Sequence, residues 1–169
     1  MSYAAYSLPH LNVLMNCGFA TLCENTITGE KSLHSTSNYR NGDIISTFNA
    51  LQTKPHPTKY TVQVNDELHI ILHPEFLQYM NHSCQPNIFF DTTKMELSCL
   101  REIAPGDELS FFYPSTEWAM AEPFKCFCEA NNCLHDIQGA SFLPQDILPY
   151  YKFTDFIMQK LNNTFLQKV

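Results

Sequence analysis

At 169 residues with 44% hydrophobic content, the chain is long enough for one domain with a real core. No apolar run is long enough to span a bilayer, and the start lacks the charged head and long apolar stretch of a signal peptide, so an intracellular setting, cytoplasmic or nuclear, is expected. A net charge of −7 with only ten Lys and Arg leaves no basic footprint for nucleic acid; the acidic balance serves solubility or, alternatively, favours a cationic partner such as a lysine-rich peptide.

In chain order, Leu11–Met15 reads as a short strand ending at the turn residues Asn16–Gly18, with Phe19–Cys23 returning beside it. Asn25–Gly29 is turn-like and Ser32–Thr36 a further strand. Asn41-Gly42 signals a tight turn before a strand at Asp43–Phe48. Pro55 and Pro57 mark a loop. Tyr60–Val64 alternates and is rich in β-branched residues, which predicts a strand, and Leu68–Leu72 predicts another. Pro74–Met80 fits one helical turn. Ile88–Phe90 and Leu97–Leu100 are expected to pair across Asp91–Lys94, and Leu109–Tyr113 forms a last strand. Many short strands with close turns and little helix imply a mainly β protein. From Gln145 the pattern changes: Phe153, Ile157, Leu161 and Phe165 recur every four residues, an apolar stripe on a C-terminal helix.

Seven cysteines in a reducing compartment read as metal ligands and free thiols rather than disulfides. Cys126, Cys128 and Cys133 form a C-x-C-x4-C cluster, three soft ligands in one short loop. Tetrahedral zinc takes four, so the fourth must come from elsewhere. Cys84, inside the dense polar motif Asn81-His82-Ser83-Cys84-Gln85-Pro86-Asn87, is the obvious donor. Cys17, Cys23 and Cys99 fall on strand-like segments and read as small core residues.

The succession NHSCQPN, GDELSFFY and CFCEANNC resembles the SET-domain protein lysine methyltransferases that carry a post-SET zinc motif, and the likeness extends back through KYTVQV and YRNGDII. The resemblance implies short curved sheets with a pseudoknot, a zinc-bound post-SET loop and a C-terminal helix. It implies a SET domain with its N-terminal hairpin over 1–118, a post-SET zinc segment over 119–139 and a helical tail over 140–169. It also implies S-adenosylmethionine as cofactor, a lysine-bearing protein as substrate, and zinc held by Cys84, Cys126, Cys128 and Cys133. Tyr113 matches the catalytic tyrosine. Asn81 and His82 match the cofactor-facing pair, Phe127 falls in the loop that closes over the cofactor, and Tyr60 and Phe111 match the walls of the lysine channel. Phenylalanine at the position of Phe111 favours di- or trimethylation, because a tyrosine there crowds the amine.

The sequence departs from the family at two places. The glycine turn that usually cradles the cofactor carboxylate has two registers here. Cys17-Gly18-Phe19-Ala20 keeps a glycine but lies far from Gly42, whereas Glu30-Lys31-Ser32-Leu33 has the better spacing without the glycines. The second is preferred, with Lys31, Ser32 and Leu33 facing the cofactor. Phe112 stands where many members carry Asp, which removes a polar contact beside Tyr113 and would alter the channel. These losses suit the alternative of a catalytically silent SET-like module that binds a peptide as an adaptor. The intact Tyr113, Asn81, His82 and Phe111 suit the enzyme.

Overall fold

The chain alternates short β-branched or aromatic runs with Gly, Pro and Asn turns, and the computed structural model, which describes residues 10–166, turns them into small sheets around one interior. The strands are β1 (Leu11–Asn16), β2 (Ala20–Asn25), β3 (Lys31–Ser35), β4 (Ile44–Thr47), β5 (Asn49–Lys54), β6 (Thr61–Gln63), β7 (His69–His73), β8 (Asn81–His82), β9 (Ile88–Asp91), β10 (Glu96–Cys99), β11 (Ser110–Phe111), β12 (Phe124–Lys125) and β13 (Asp136–Ile137). One helix, α1 (Asp155–Leu166), ends the described chain. The sheets run β1-β2-β3, β4-β10-β9-β11-β8, β5-β7-β6 and β12-β13.

The main core lies between the first three of these sheets and holds Leu33, Phe48, Ile70, Met80, Phe90 and Leu109, all essentially free of solvent. Each such side chain contributes about 1.5–3 kcal/mol by burial. Cys23 and Cys99 are buried as small core residues, whereas Cys17 lies in the β1–β2 turn and is only half-buried. A second cluster forms where Phe112 meets Ala140, Phe153, Ile157 and Leu161. The predicted stripe is therefore real at Ile157 and Leu161. Phe153 packs in the same cluster but precedes the helix, and the side chain of Phe165 lies outside the described residues. Thr154 starts the helix, giving its carbonyl to the Met158 N–H at 2.9 Å.

Four strands differ from expectation. Strand β5 was not anticipated: its residues are almost wholly exposed and its ladder with β7 bulges between Ala50 and Gln52, so no alternation survives in the sequence. Strands β12 and β13 are a two-residue ladder made by loop geometry, with no periodicity to read. The strand expected over Leu109–Tyr113 is confined to Ser110–Phe111. Tyr113 instead opens a 3₁₀ turn, Tyr113–Ser115, since Pro114 has no N–H with which to extend a ladder.

Strand β6 is the edge of its sheet, so the outward N–H of Gln63 has no neighbouring strand. The buried carboxyl of Glu117 accepts it at 2.8 Å. Burial holds this carboxyl up to about 7 from its ordinary 4.5, against the lowering effect of the Gln63 N–H and the Thr116 hydroxyl. A carboxyl whose folded pKa is raised stabilises fully below the unfolded value, and its contribution is lost as pH rises through the folded value. Stability attributable to Glu117 should therefore decline from about pH 4.5 to about 7. Denaturation midpoints of Glu117→Gln, minus those of the unmodified protein, should rise across that window; a constant difference would refute the assignment.

Candidate active site and cysteine centre

Strands of two residues allow a connection that longer parallel strands forbid. β8 and β9 both run parallel to β11, which lies between them, with Asn81 opposite Ser110 and both His82 and Ile88 opposite Phe111. Parallel neighbours ordinarily need a crossover of a dozen residues or more. Here Ser83–Asn87 crosses β11 in five residues, and hydrogen bonds hold the crossing. Ser83 N–H donates to Phe111 O at 3.0 Å, and Asn87 N–H to Ser110 O at 3.2 Å. The buried amide of Asn87 accepts from Ser110 N–H at 2.9 Å and donates to Glu108 O at 2.8 Å. The NHSCQPN segment, a dense polar motif in the sequence, thus comprises β8 and the crossing to β9, in keeping with the pseudoknot that the resemblance implies.

This crossing delivers Tyr113 to His82. Tyr113 N–H donates to His82 Nδ1 at 3.2 Å, and the Tyr113 hydroxyl donates to Met80 O at 3.0 Å. Burial, with the charge of Glu108 adding to it, keeps the phenol well above its ordinary pKa, so it remains a neutral hydroxyl. Burial also lowers His82 to about 4. With Nδ1 accepting, the neutral ring carries its proton on Nε2, which faces Cys84 Sγ at 3.3 Å. One imidazole therefore joins the tyrosine to the cysteine cluster. Phe111 packs on Phe90 and Tyr113 with ring centres 4.5 and 4.6 Å away.

Lys31 lies beside Asn81, whose amide donates to Lys31 O at 3.1 Å and to Glu108 Oε1 at 2.8 Å. The Lys31 ammonium sits 4.7 Å from the centre of the Tyr79 ring and makes no ion pair among the described residues. Gly18, in the competing register, serves the β1–β2 turn: its N–H meets Asn16 Oδ1 at 2.8 Å and its carbonyl takes the Thr36 hydroxyl at 2.7 Å. Ser32 and Leu33 follow Lys31 but are largely occupied. The Ser32 hydroxyl bonds His34 Nε2 at 2.9 Å, and Leu33 is a core residue whose carbonyl takes Leu109 N–H at 2.7 Å. Tyr60 stands apart, 46% exposed and without an aromatic partner among the described residues. Phe127 projects between two cysteines, 84% exposed.

Phe112 does not face Tyr113 across a channel. Successive side chains leave a strand on opposite faces, and Phe112 points into the tail, stacked on Tyr151 at 3.8 Å with planes 10° apart. The expected loss of a polar contact beside Tyr113 becomes an aromatic anchor for the C-terminal segment. The Tyr151 hydroxyl donates to Cys84 O at 2.9 Å, and Asn132 donates to the same carbonyl at 2.9 Å. Sequence reasoning assigned no role to Tyr151, to Glu108 or to Phe124, whose ring packs 5.9 Å from Tyr113 and 5.6 Å from His82. Glu108 lay within a motif already singled out. Nothing in the sequence distinguishes Phe124 or Tyr151 from other aromatics.

The sulfurs of Cys84, Cys126, Cys128 and Cys133 lie within 4.8 Å of one another, near the spacing of about 3.8 Å that zinc–sulfur bonds of about 2.3 Å impose on a tetrahedron. Burial raises Cys84 well above its ordinary pKa and Cys126 to about 11. Burial also opposes ionisation of Cys128, but the N–H groups of Cys84 and Ala130 outweigh it and bring that thiol down to about 7. Four thiols this close cannot all ionise without a cation among them, and a divalent ion would relieve that repulsion. Leu134 N–H already donates to Cys84 Sγ at 3.4 Å, an outer contact of the kind that orients a ligand. Glu129 and His135 hold left-handed backbone, φ 58° and 62°, which persists where surrounding contacts over-determine it. The donor set and its convergence fit zinc. Metal analysis of the purified protein should give one zinc per chain. Cys84→Ser should lower occupancy as much as Cys128→Ser, despite the distance in sequence; full occupancy in Cys84→Ser would refute the assignment.

The SET domain family model matches residues 15–114. The chain is 40% identical over 112 residues to the methyltransferase flvH of Aspergillus flavus, covering 65% of this chain and 62% of flvH. It is 34% identical over 82 residues to the H3 lysine-36 specific histone-lysine N-methyltransferase of Saccharomyces cerevisiae, covering 41% of this chain and 11% of that protein. The chain thus spans less than two thirds of the length of either relative. The methyltransferase domain of human PR domain-containing protein 2 is similar at a TM-score of 0.40 and 20% identity, over 62% of this chain and 76% of that one.

Proposed function

The chain belongs to the SET domain family, and from that premise we propose that it is an S-adenosylmethionine-dependent protein lysine N-methyltransferase with one structural zinc. The observation that carries this reading is the placement of the half-buried, neutral Tyr113 hydroxyl beside Asn81–His82 by the threaded β8-β11-β9 arrangement. Relatives named as methyltransferases support it, and nothing specific favours the adaptor reading.

When bound, the cofactor supplies an electrophilic methyl group on a sulfonium. Asn81, His82, Lys31 and Ser32 would hold it, with Phe127 and Tyr113 closing on it, while Leu33, fully buried and bonded to Leu109, anchors the strand behind Lys31. With both Asn81 amide hydrogens on Lys31 O and Glu108 Oε1, its Oδ1 remains as an acceptor, the Lys31 ammonium, which makes no ion pair among the described residues, suits a carboxylate, and the exposed Phe127 ring offers an apolar face. Zinc on Cys84, Cys126, Cys128 and Cys133 would fasten the loop bearing Phe127, a structural role. The protein's chemical work is to admit a neutral lysine amine, exclude water and align it with the methyl group. A Tyr113 hydroxyl that stays protonated can orient that amine without abstracting its proton. Tyr60 and Phe111 are the proposed channel walls. The substrate is a histone or another lysine-rich protein, in an intracellular compartment; no helix among the described residues is long and apolar enough to cross a membrane.

Incubation with labelled cofactor and a whole-cell extract should place label on lysines, and no incorporation would sink the reading. Tyr113→Phe should leave the fold and cofactor affinity nearly unchanged while turnover falls on the order of 10²-fold, because the lost interaction belongs mainly to the transition state.

Product state follows from Phe111. Its ring lacks the hydroxyl that would hold water against the amine, and packing on Phe90 and Tyr113 fixes it in place. Mass spectrometry of a completed reaction should find di- or trimethyllysine, and Phe111→Tyr should shift the product towards monomethyllysine with the first transfer largely intact. Monomethyllysine alone from the unmodified protein would overturn this.

A further inference from the structure

The Gln63–Glu117 contact does more than satisfy an edge. Glu117 Oε1 accepts the Gln63 backbone N–H at 2.8 Å, and the Gln63 side-chain carbonyl accepts Trp118 N–H at 2.9 Å. Residues 54 and 55 positions apart thereby exchange bonds in both directions, side chain to backbone. The Gln63 amide is steadied in turn by donating to Asn65 O at 3.1 Å. Thr116 and Glu117 each donate their N–H to Tyr113 O at 3.1 Å, and the Thr116 hydroxyl reaches both Tyr113 O and Glu117 Oε1 at 3.3 Å. The carboxyl and Tyr113 are therefore parts of one hydrogen-bonded turn, and the carboxyl is the arm by which that turn grips β6.

Strand β6 follows directly on Tyr60, and the turn begins with Tyr113. We infer that Glu117 is a positioning residue that fixes the separation between β6, which directly follows the proposed channel wall Tyr60, and the turn carrying the catalytic hydroxyl. This rests on the methyltransferase reading for its consequence in catalysis, but not for the fastening itself. A buried carboxyl is a costly way to close a strand edge when a backbone ladder or an apolar side chain could cover it. What it supplies is reach: the side chain spans from the turn to β6 while its backbone N–H stays on Tyr113. Misplacement of a channel wall by about 1 Å is enough to lower transfer strongly.

The test compares the unmodified protein with Glu117→Gln, Glu117→Ala and Glu117→Asp. Gln keeps an acceptor at the same reach, Ala removes it, and Asp shortens it by one methylene should Ala fail to fold. Amide hydrogen exchange is read at Gln63 and Tyr113. Zinc content, calorimetric affinity for S-adenosylhomocysteine, and kcat and KM on the lysine peptide identified by labelling are also measured. We expect Ala and Asp to speed exchange at both amides, to keep zinc and to bind S-adenosylhomocysteine within about twofold, while kcat/KM for the peptide falls about tenfold; Gln should restore all of these. Faster exchange at Gln63 but not at Tyr113 would overturn the inference, as would unchanged peptide kinetics, or parallel loss of cofactor affinity and turnover. If the unmodified chain neither binds S-adenosylhomocysteine nor labels a lysine, the methyltransferase reading fails, and the two exchange rates still decide whether Glu117 fastens β6 to the Tyr113 turn.

Discussion

The site depends on one short crossing. Ser83–Asn87 passes over β11, and Asn87 binds Ser110 through both its backbone and its amide, while β8 and β9 flank β11 in parallel. Remove the crossing and no other element brings Asn81, His82 and Tyr113 together. The other sheets serve it from outside: β3 supplies Lys31 to Asn81, and Leu33 and Leu109 pin the strand that precedes Tyr113. Buried aromatics around Phe111 hold the arrangement by shape, and the hydrogen bonds set its register.

The electrostatics divide cleanly on either side of His82. Towards Tyr113 the surroundings are desolvated and favour neutral groups, which suits the uncharged amine of the proposed reaction. Towards Cys84 four sulfurs crowd into a volume that suits a cation. The neutral imidazole touches both halves without carrying charge between them, and Tyr151 from the tail and Asn132 from the cysteine loop clamp the Cys84 carbonyl. Cysteine loop, tail and tyrosine are consequently one mechanical unit.

Much of this was legible in the chain. The cysteine cluster and its distant fourth member followed from ligand chemistry, and most strands followed from alternation bounded by turn residues. What escaped has a physical reason in each case. β5 is held by pairing with β7 while its own side chains face solvent, so hydropathy carries no trace of it. The side on which Phe112 falls depends on where the strand stops, which Pro114 decides. Lys31 beside Asn81 is a tertiary meeting across fifty residues, and the spacing to Gly42 had suggested it only by analogy. Glu117 gave no signal, because a carboxyl in the pattern Ser-Thr-Glu-Trp looks like any polar turn until its burial is seen.

The threading also dictates an order of assembly. Strand β11 has to enter a slot whose two walls, β8 and β9, are joined by five residues and close upon it. Local hairpins such as β1-β2 and β9-β10 need only neighbouring sequence, whereas this insertion closes long loops and comes at the entropic disadvantage of non-local pairing. Tyr113 lies two residues beyond the inserted strand, and the cysteine loop lies further on. A nascent chain that has emerged only as far as β10 thus holds the residues of much of the hydrophobic interior, while the proposed catalytic arrangement around Tyr113 awaits the insertion of β11.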